Sequence, residues 1–488
     1  MAALRRKRPP LETETEEAVL RALGRVVGVG VIMAASAALA AGADGSWTSC
    51  SKPARLQPNW SARLFHVATW GTDPGWCPGN GYTFRTITAA AKCLAGGDTI
   101  YVHGGTYGPV QLANLWPSSQ VLITNAPGES PVIDGWGGIA DYGAVFGLWQ
   151  VGNVSIQGLE IRNTGVTDAE HGGYGLHVSG GSNVKIYFNT VHDTARHGII
   201  TQGSGHEIVG NEVYNAVMRN QWFQSNYWDA AVSSHPSTNQ WGYKLLGNSI
   251  HDSYGECADV LAVSGATVEG NRIYNCVSTN LFVSNSENVT VNRNWLYANT
   301  DKYNRRDLGY RATGVQLANE STWVGWSLKN IRITNNIVEW VSQGVRYWRA
   351  HSGGSVPDTY GSLYVGFNDI NRTTFAPIRF DTPEWGWPSA NSRLRQNIVL
   401  NSSANTWFSS NESGAWNTGA NRTYAWSWST YNPGINDTYG TYTWAYRWRS
   451  GAWQRYTVAP WSEWDMPGDD YNCAVRDQNQ WNSPGAVN

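Results

Sequence analysis

Histidine and carboxylate side chains crowd one stretch of this chain: His192-Asp193, His197, Asp229, His235, His251-Asp252, Glu256 and Asp259. Carboxylates brought close together repel unless a cation or a shared proton intervenes. Such a cluster can therefore hold a hard cation through oxygen or work as acid and base. Counting along the chain sets His197, Asp229, Asp259 and Asn280 in one column, one polar group from each of four adjacent coils. On that arrangement Asp229, Asp259 and Glu256 are candidate ligands of a calcium ion. The two His-Asp pairs read as hydrogen bonds at corners rather than as catalysts. A second set consists of His177, Gln316, Arg346 and Arg379. If Val315, Leu317, Val345, Tyr347, Ile378 and Phe380 turn inward, strand alternation turns that set outward. A basic outward row suits a polysaccharide carrying uronates, whose carboxylates pair with guanidinium groups. Solvated surface or hydrogen bonding between coils is the plain alternative.

The elements that must position these groups show as a repeat. Asn189-Thr-Val-His, Asn211-Glu-Val-Tyr, Asn248-Ser-Ile-His, Asn271-Arg-Ile-Tyr, Asn294-Trp-Leu-Tyr, Asn336-Ile-Val-Glu, Asn368-Asp-Ile-Asn and Asn397-Ile-Val-Leu share one pattern. The shortest steps are 22 and 23 residues, and the longer ones mark insertions near 217–242, 300–327 and 349–360. Asn suits a repeated corner because it tolerates the left-handed backbone region, and stacked amides can hydrogen-bond from coil to coil. A short strand precedes each Asn (Asn183-Val-Lys-Ile, Asn288-Val-Thr-Val), and another follows the turn (Gly198-Ile-Ile-Thr, Gly314-Val-Gln-Leu, Gly344-Val-Arg-Tyr). Three short strands per coil predict an all-β protein, a single-stranded right-handed parallel β-helix of about 22–23 residues per coil. The composition agrees. The 488 residues include 53 Gly and 27 Trp, only 15% are charged, and the net charge is −2. That balance argues against a charged helical bundle, a disordered chain and a nucleic-acid partner.

Thr86-Ile-Thr-Ala-Ala-Ala, Gly96-Gly-Asp-Thr-Ile-Tyr-Val-His-Gly-Gly-Thr-Tyr107 and Asn125-Ala-Pro-Gly-Glu-Ser-Pro-Val-Ile-Asp-Gly135 resemble the N-terminal segment of secreted right-handed β-helix proteins of the pectate-lyase-like polysaccharide lyase type. The resemblance spans roughly 65–410 and implies a short helix, about 86–95, capping the open end of the solenoid. It also implies a polysaccharide or oligosaccharide substrate. β-Elimination needs a base for the C5 proton, a positive group on the uronate and help for the leaving oxygen. Ala258-Asp259-Val-Leu-Ala is similar to the acidic corner of one such lyase group. The later coil, where that group shows a Lys, reads Asn280-Leu-Phe-Val283 and offers no base. Arg346, Arg311 or His197 would then have to serve. Glycoside hydrolysis needs two carboxyl groups instead, for which Asp229 and Asp259 are the pair. A non-catalytic sugar-binding or cell-surface protein is the alternative of a different class. Trp222, Phe223, Tyr227, Trp228 and Trp241 in the first insertion would supply sugar-stacking platforms, with Trp222 and Trp228 foremost.

The ends of the chain read separately. Residues 1–43 carry a basic start and an uncharged run from Val26 to Ala43 with small-x-small sites. They are expected to be a signal peptide, or a signal anchor if retained. Residues 44–404 form the β-helix. Residues 405–488, where 10 of 84 are Trp, form a Trp-rich cap or a small carbohydrate-contacting extension. The six cysteines allow 15 pairings. The local pairs Cys77–Cys93 and Cys257–Cys276 are favoured, with a Cys50–Cys473 clasp as the remainder. The expectation is thus a secreted, calcium-dependent, monomeric protein with no nucleic-acid partner and no membrane contact after signal cleavage.

Overall fold

The computed structural model describes residues 53–166, 172–221, 229–305, 309–320, 324–348, 361–366 and 368–380. It also describes the backbone of the strands Arg393–Arg395, Ile398–Leu400, Phe408–Ser410, Thr443–Arg449 and Ala452–Val458. The repeated motifs fold as expected: three parallel sheets of 13, 11 and 11 strands run along the molecule. In each, a strand pairs with its counterpart one coil earlier and one coil later. The chain is a right-handed parallel β-helix. A single core runs through it, lined by Val, Ile and Leu such as Ile156, Ile186, Ile208, Leu245, Val268, Val291 and Ile333. The helix Ile87–Ala91 closes one end, with the Thr86 side chain accepting the Ala89 amide at 3.1 Å. Among the described residues no helix is long and apolar enough to cross a membrane.

The Asn column is a continuous ladder. Asn211 Nδ2 and its backbone amide both donate to Asn248 Oδ1, at 3.0 and 2.9 Å. The same pair of bonds recurs from Asn248 to Asn271, Asn271 to Asn294, Asn294 to Asn336 and Asn336 to Asn368. Of the two reasons expected for Asn, the coil-to-coil amide bonds hold and the left-handed backbone does not. The left-handed residue at this corner is the one before: Phe188, Gly210, Gly247, Gly270, Arg293 and Asn335 all have positive φ. The ladder Asn is retained for its buried amide, which satisfies backbone groups that would otherwise be orphaned.

Beside the ladder, on the second sheet, the rings of His192, Tyr214, His251, Tyr274 and Tyr297 stack with centroids 4.6–5.4 Å apart. The His-Asp pairs are corner hydrogen bonds as read: His192 Nδ1 lies 2.8 Å from Asp193 and His251 Nδ1 2.9 Å from Asp252. Both local disulfides, Cys77–Cys93 and Cys257–Cys276, are formed. Cys50 and Cys473 lie outside the described residues. Of the Trp-rich tail, Thr443–Arg449 and Ala452–Val458 pair as an antiparallel hairpin.

Candidate functional site on the third sheet

The third sheet holds most of the candidate residues, on an outer face that mixes polar side chains with Ile200 and Phe282. Val315, Leu317, Val345, Tyr347, Ile378 and Phe380 are all core residues. The register places the alternate residues in one outward row, which runs Gly147, His177, Ile200, Ser233, Asp259, Phe282, Gln316, Arg346 and Arg379. His177, Gln316, Arg346 and Arg379 therefore do share a row, and Asp259 lies in the middle of it. At about 4.8 Å per strand, three steps separate Asp259 from His177 on one side and from Arg346 on the other, about 14 Å each way.

The corner column expected of His197, Asp229, Asp259 and Asn280 does not form. His197 accompanies Ala230, which pairs with Glu256. Asp259 pairs with Ser233 and Phe282, three residues further along its strand. Asn280 Nδ2 donates to Tyr297 O instead. The insertion before Asp229 lengthens that coil, so counting residues misplaces the strand, whereas Ile199, Val232, Ala258 and Leu281 settle in the core and set the true register.

What the register does bring together is Glu256 and Asp259. Cys257 and Ala258 are both core residues, which breaks the strand alternation between the carboxyls on either side of them. Each carboxyl influences the ionisation of the other. Both are buried, and burial pushes both above the ordinary carboxyl range. The charge of Asp259 adds for Glu256; for Asp259 the neighbouring Glu256 and Ser233 work the other way, and the negative charges of Glu320 and Asp229 add.

The neighbouring coils on the other side bring further ionisable groups to this sheet. Asp229 Oδ2 is 2.6 Å from Arg219 Nη2, and His197 Nε2 is 3.4 Å from Asp229 Oδ1. His197 Nδ1 lies 2.7 Å from the Ala230 carbonyl oxygen, and burial lowers its pKa despite the charge of Asp229. Arg196 lies over the Tyr142 ring, 3.9 Å from its centroid. His177 sits edge-on between Trp149 and Tyr174, centroids 4.8 and 4.9 Å away. Burial, with His197 and His235 adding, takes it down to about 3. His177 is therefore a neutral member of the row, not part of a basic one.

The remaining expectations divide. Arg311 is outside the row: its Nε donates to Asp301 Oδ1 at 2.9 Å and its guanidinium packs over Trp340. Arg346 is in the row but three steps from the carboxyls. Trp222 and Trp228 lie outside the described residues, and Trp241 stands exposed at the start of a strand of the first sheet, against Trp326. As to calcium, Asp229 is already paired with the Arg219 guanidinium, and among the described residues no three His, Cys, Asp or Glu side chains converge as a metal site. Sequence reasoning missed Arg196, Arg219, Ser233 and Trp149. Only Arg196, adjacent to His197, carried a visible signal.

A family model described as a right-handed beta helix region matches residues 145–356. Similar solved structures include pectate lyase Pel9A, 15% identical over 77% of this chain and 82% of that one, with a TM-score of 0.41. The catalytic unit of a thermostable alpha-1,3-glucanase from Streptomyces thermodiastaticus is 13% identical over 68% and 65%, with a TM-score of 0.43. PfbA, a surface adhesin of Streptococcus pneumoniae, is 14% identical over 76% and 92%, with a TM-score of 0.36. No curated protein matches the sequence. The similar solved structures include lyases, hydrolases and adhesins.

Proposed function

We propose that this right-handed parallel β-helix is an exported enzyme that cleaves an acidic polysaccharide laid along the outer face of its third sheet, by hydrolysis rather than β-elimination. One observation carries the reading: Asp259 in the outward row and Glu256 three residues before it on the same strand are both buried carboxyls, and burial favours their protonated form. A carboxyl held protonated near neutral pH is what a glycosidic oxygen requires as it leaves. In this scheme the bond from the anomeric carbon to that oxygen breaks, the oxygen takes the carboxyl's proton, and water attacks the anomeric carbon. Asp229, beside His197 and Arg219, is the second carboxyl and accepts the water's proton. Arg346 and Arg379, adjacent in the row, face the carboxylates of a uronate chain. Elimination finds less support. Arg346 as base would work about 14 Å from the acidic pair, and Arg311 is engaged with Asp301.

The test is an assay of the native chain and of the Asp259→Asn and Glu256→Gln chains on a panel of polyuronates and neutral glycans. New reducing ends without the ultraviolet absorbance of unsaturated uronates are expected. Either substitution should lower the rate at least about 100-fold, the usual worth of an acid–base group, and a calcium chelator should change nothing. Unsaturated products would restore elimination, and no cleavage of any glycan would leave a binding protein.

A further inference from the structure

Large apolar side chains that face solvent gather in the first coils: Trp60, Trp70, Trp76, Trp116, Trp136 and Tyr142 all stand more than half exposed. Near them is a cavity of about 300 Å³ whose wall includes Thr69, Arg85, Thr88, Thr106, Tyr107 and Gly108. That is the lower end of the size of small-ligand sites. Trp136 lies against the wall, its ring so close to Gly108 that a Cβ there would be 2.9 Å away. Trp70 follows Thr69 in the chain.

Trp136 is unusual in a second way. Its φ is +51°, a left-handed conformation that costs a bulky residue about 1–3 kcal/mol. It is held there by its own amide, which donates to Asp134 Oδ1 at 2.7 Å. Yet the indole is 65% exposed, so burial does not repay the strain. Arg85 is equally unmatched. Asp73 binds the Arg85 backbone amide at 2.8 Å, but among the described residues no carboxylate pairs with the guanidinium, whereas Arg63, Arg162 and Arg219 each have one.

We infer that this cavity is a second saccharide-binding site, which takes an acidic sugar residue with its ring against Trp136 and its carboxylate on Arg85. Threonine hydroxyls supply the partners for sugar hydroxyls, and an apolar sugar face on an indole is an ordinary aromatic contact. Val110 in the cavity wall is in register with Phe146, Leu176, Ile199, Val232 and Ala258. The cavity is thus five coils, about 24 Å, from the acidic pair. It holds the polymer without touching the bond that is cut. The inference does not depend on the chain being an enzyme.

Affinity electrophoresis of the full chain tests it, in gels containing polygalacturonate or a neutral glucan. Polygalacturonate is expected to retard the native chain and the Asp259→Asn chain alike, and the glucan neither. Trp136→Gly and Arg85→Gln should each weaken retardation by about tenfold, the equivalent of about 1.4 kcal/mol. Glycine at position 136 relieves the backbone strain, so that variant should melt no lower than the native chain. No retardation of the native chain overturns the proposal, as does equal retardation of a chain carrying both substitutions. Retardation by the glucan that matches polygalacturonate overturns the acidic-sugar assignment. Loss of cleavage in Asp259→Asn with retardation intact separates this site from the catalytic one.

Discussion

Asp259 stands on the solvent side of its sheet yet is 2% exposed, and Glu256, three residues before it on the same strand, is a second buried carboxyl. Such an arrangement costs stability. Because both groups titrate higher in the folded chain than in the unfolded one, the folded state binds the extra proton. Stability from this pair is therefore greatest below the ordinary carboxyl pKa and falls as pH rises toward the raised folded value. Asp259→Asn removes one of the two buried carboxyls. The substitution is expected to raise the melting temperature increasingly between pH 4 and pH 8, by on the order of 1–3 kcal/mol of stability at the upper end, while cleavage is lost. Thermal melts of both chains across that range check it. A variant that melts lower than the native chain at pH 8 would mean the carboxyls are not strained against each other. His177 illustrates the same physics with the other sign. Burial among Trp149 and Tyr174 keeps it neutral, so it meets a sugar as a hydrogen-bonding ring and not as a cation.

At the scale of the element, the Asn ladder joins one coil to the next where the three sheets alone would leave a corner unsatisfied. Asn271 sits in its middle: it receives two bonds from Asn248 and gives two to Asn294, and its amide also reaches Leu245 O. Asn271→Ala leaves the backbone amide of Asn248 without its acceptor and the Leu245 carbonyl without the Nδ2 donor in a buried corner, while Asn294 Oδ1 keeps the bond from the backbone amide of residue 271. Unmet buried groups cost about 1–3 kcal/mol each, so a loss of about 3 kcal/mol is expected, read by denaturant unfolding. Asn330→Ala is the control, because Asn330 bonds to Asn288 on the exposed surface. If the two variants unfold alike, the ladder is not what couples the coils.

At the scale of the molecule, the outward row from His177 to Arg379 crosses seven coil steps, about 34 Å. That length suits an extended polymer whose binding energy is spread over many units, with the acidic pair near the centre. The rate of cleavage should therefore climb with the length of a polyuronate oligomer and level off only when the oligomer spans the row. Initial rates over a length series measure this. Equal rates on the shortest and longest oligomers would confine recognition to the surroundings of Glu256 and Asp259.

The Asn repeats, the strand order they dictate and the outward row of Gln316, Arg346 and Arg379 were legible in the sequence. A repeating coil confronts the same corner each time, and a strand's side chains alternate with a period of two. The local disulfides were legible as spacings as well. Glu256 and Asp259 were legible as acidic candidates beside Asp229, but not their placement, because two successive side chains between them, Cys257 and Ala258, lie in the core and break the alternation that counting relies on. The insertion before Asp229 likewise shifted the count, and only the packing of Val232 and Ala258 between Ile199 and Leu281 decided which strand faced which. Periodicity is local and survives in one dimension. A register across an insertion is settled by which apolar side chains fill the core, and that is a property of three.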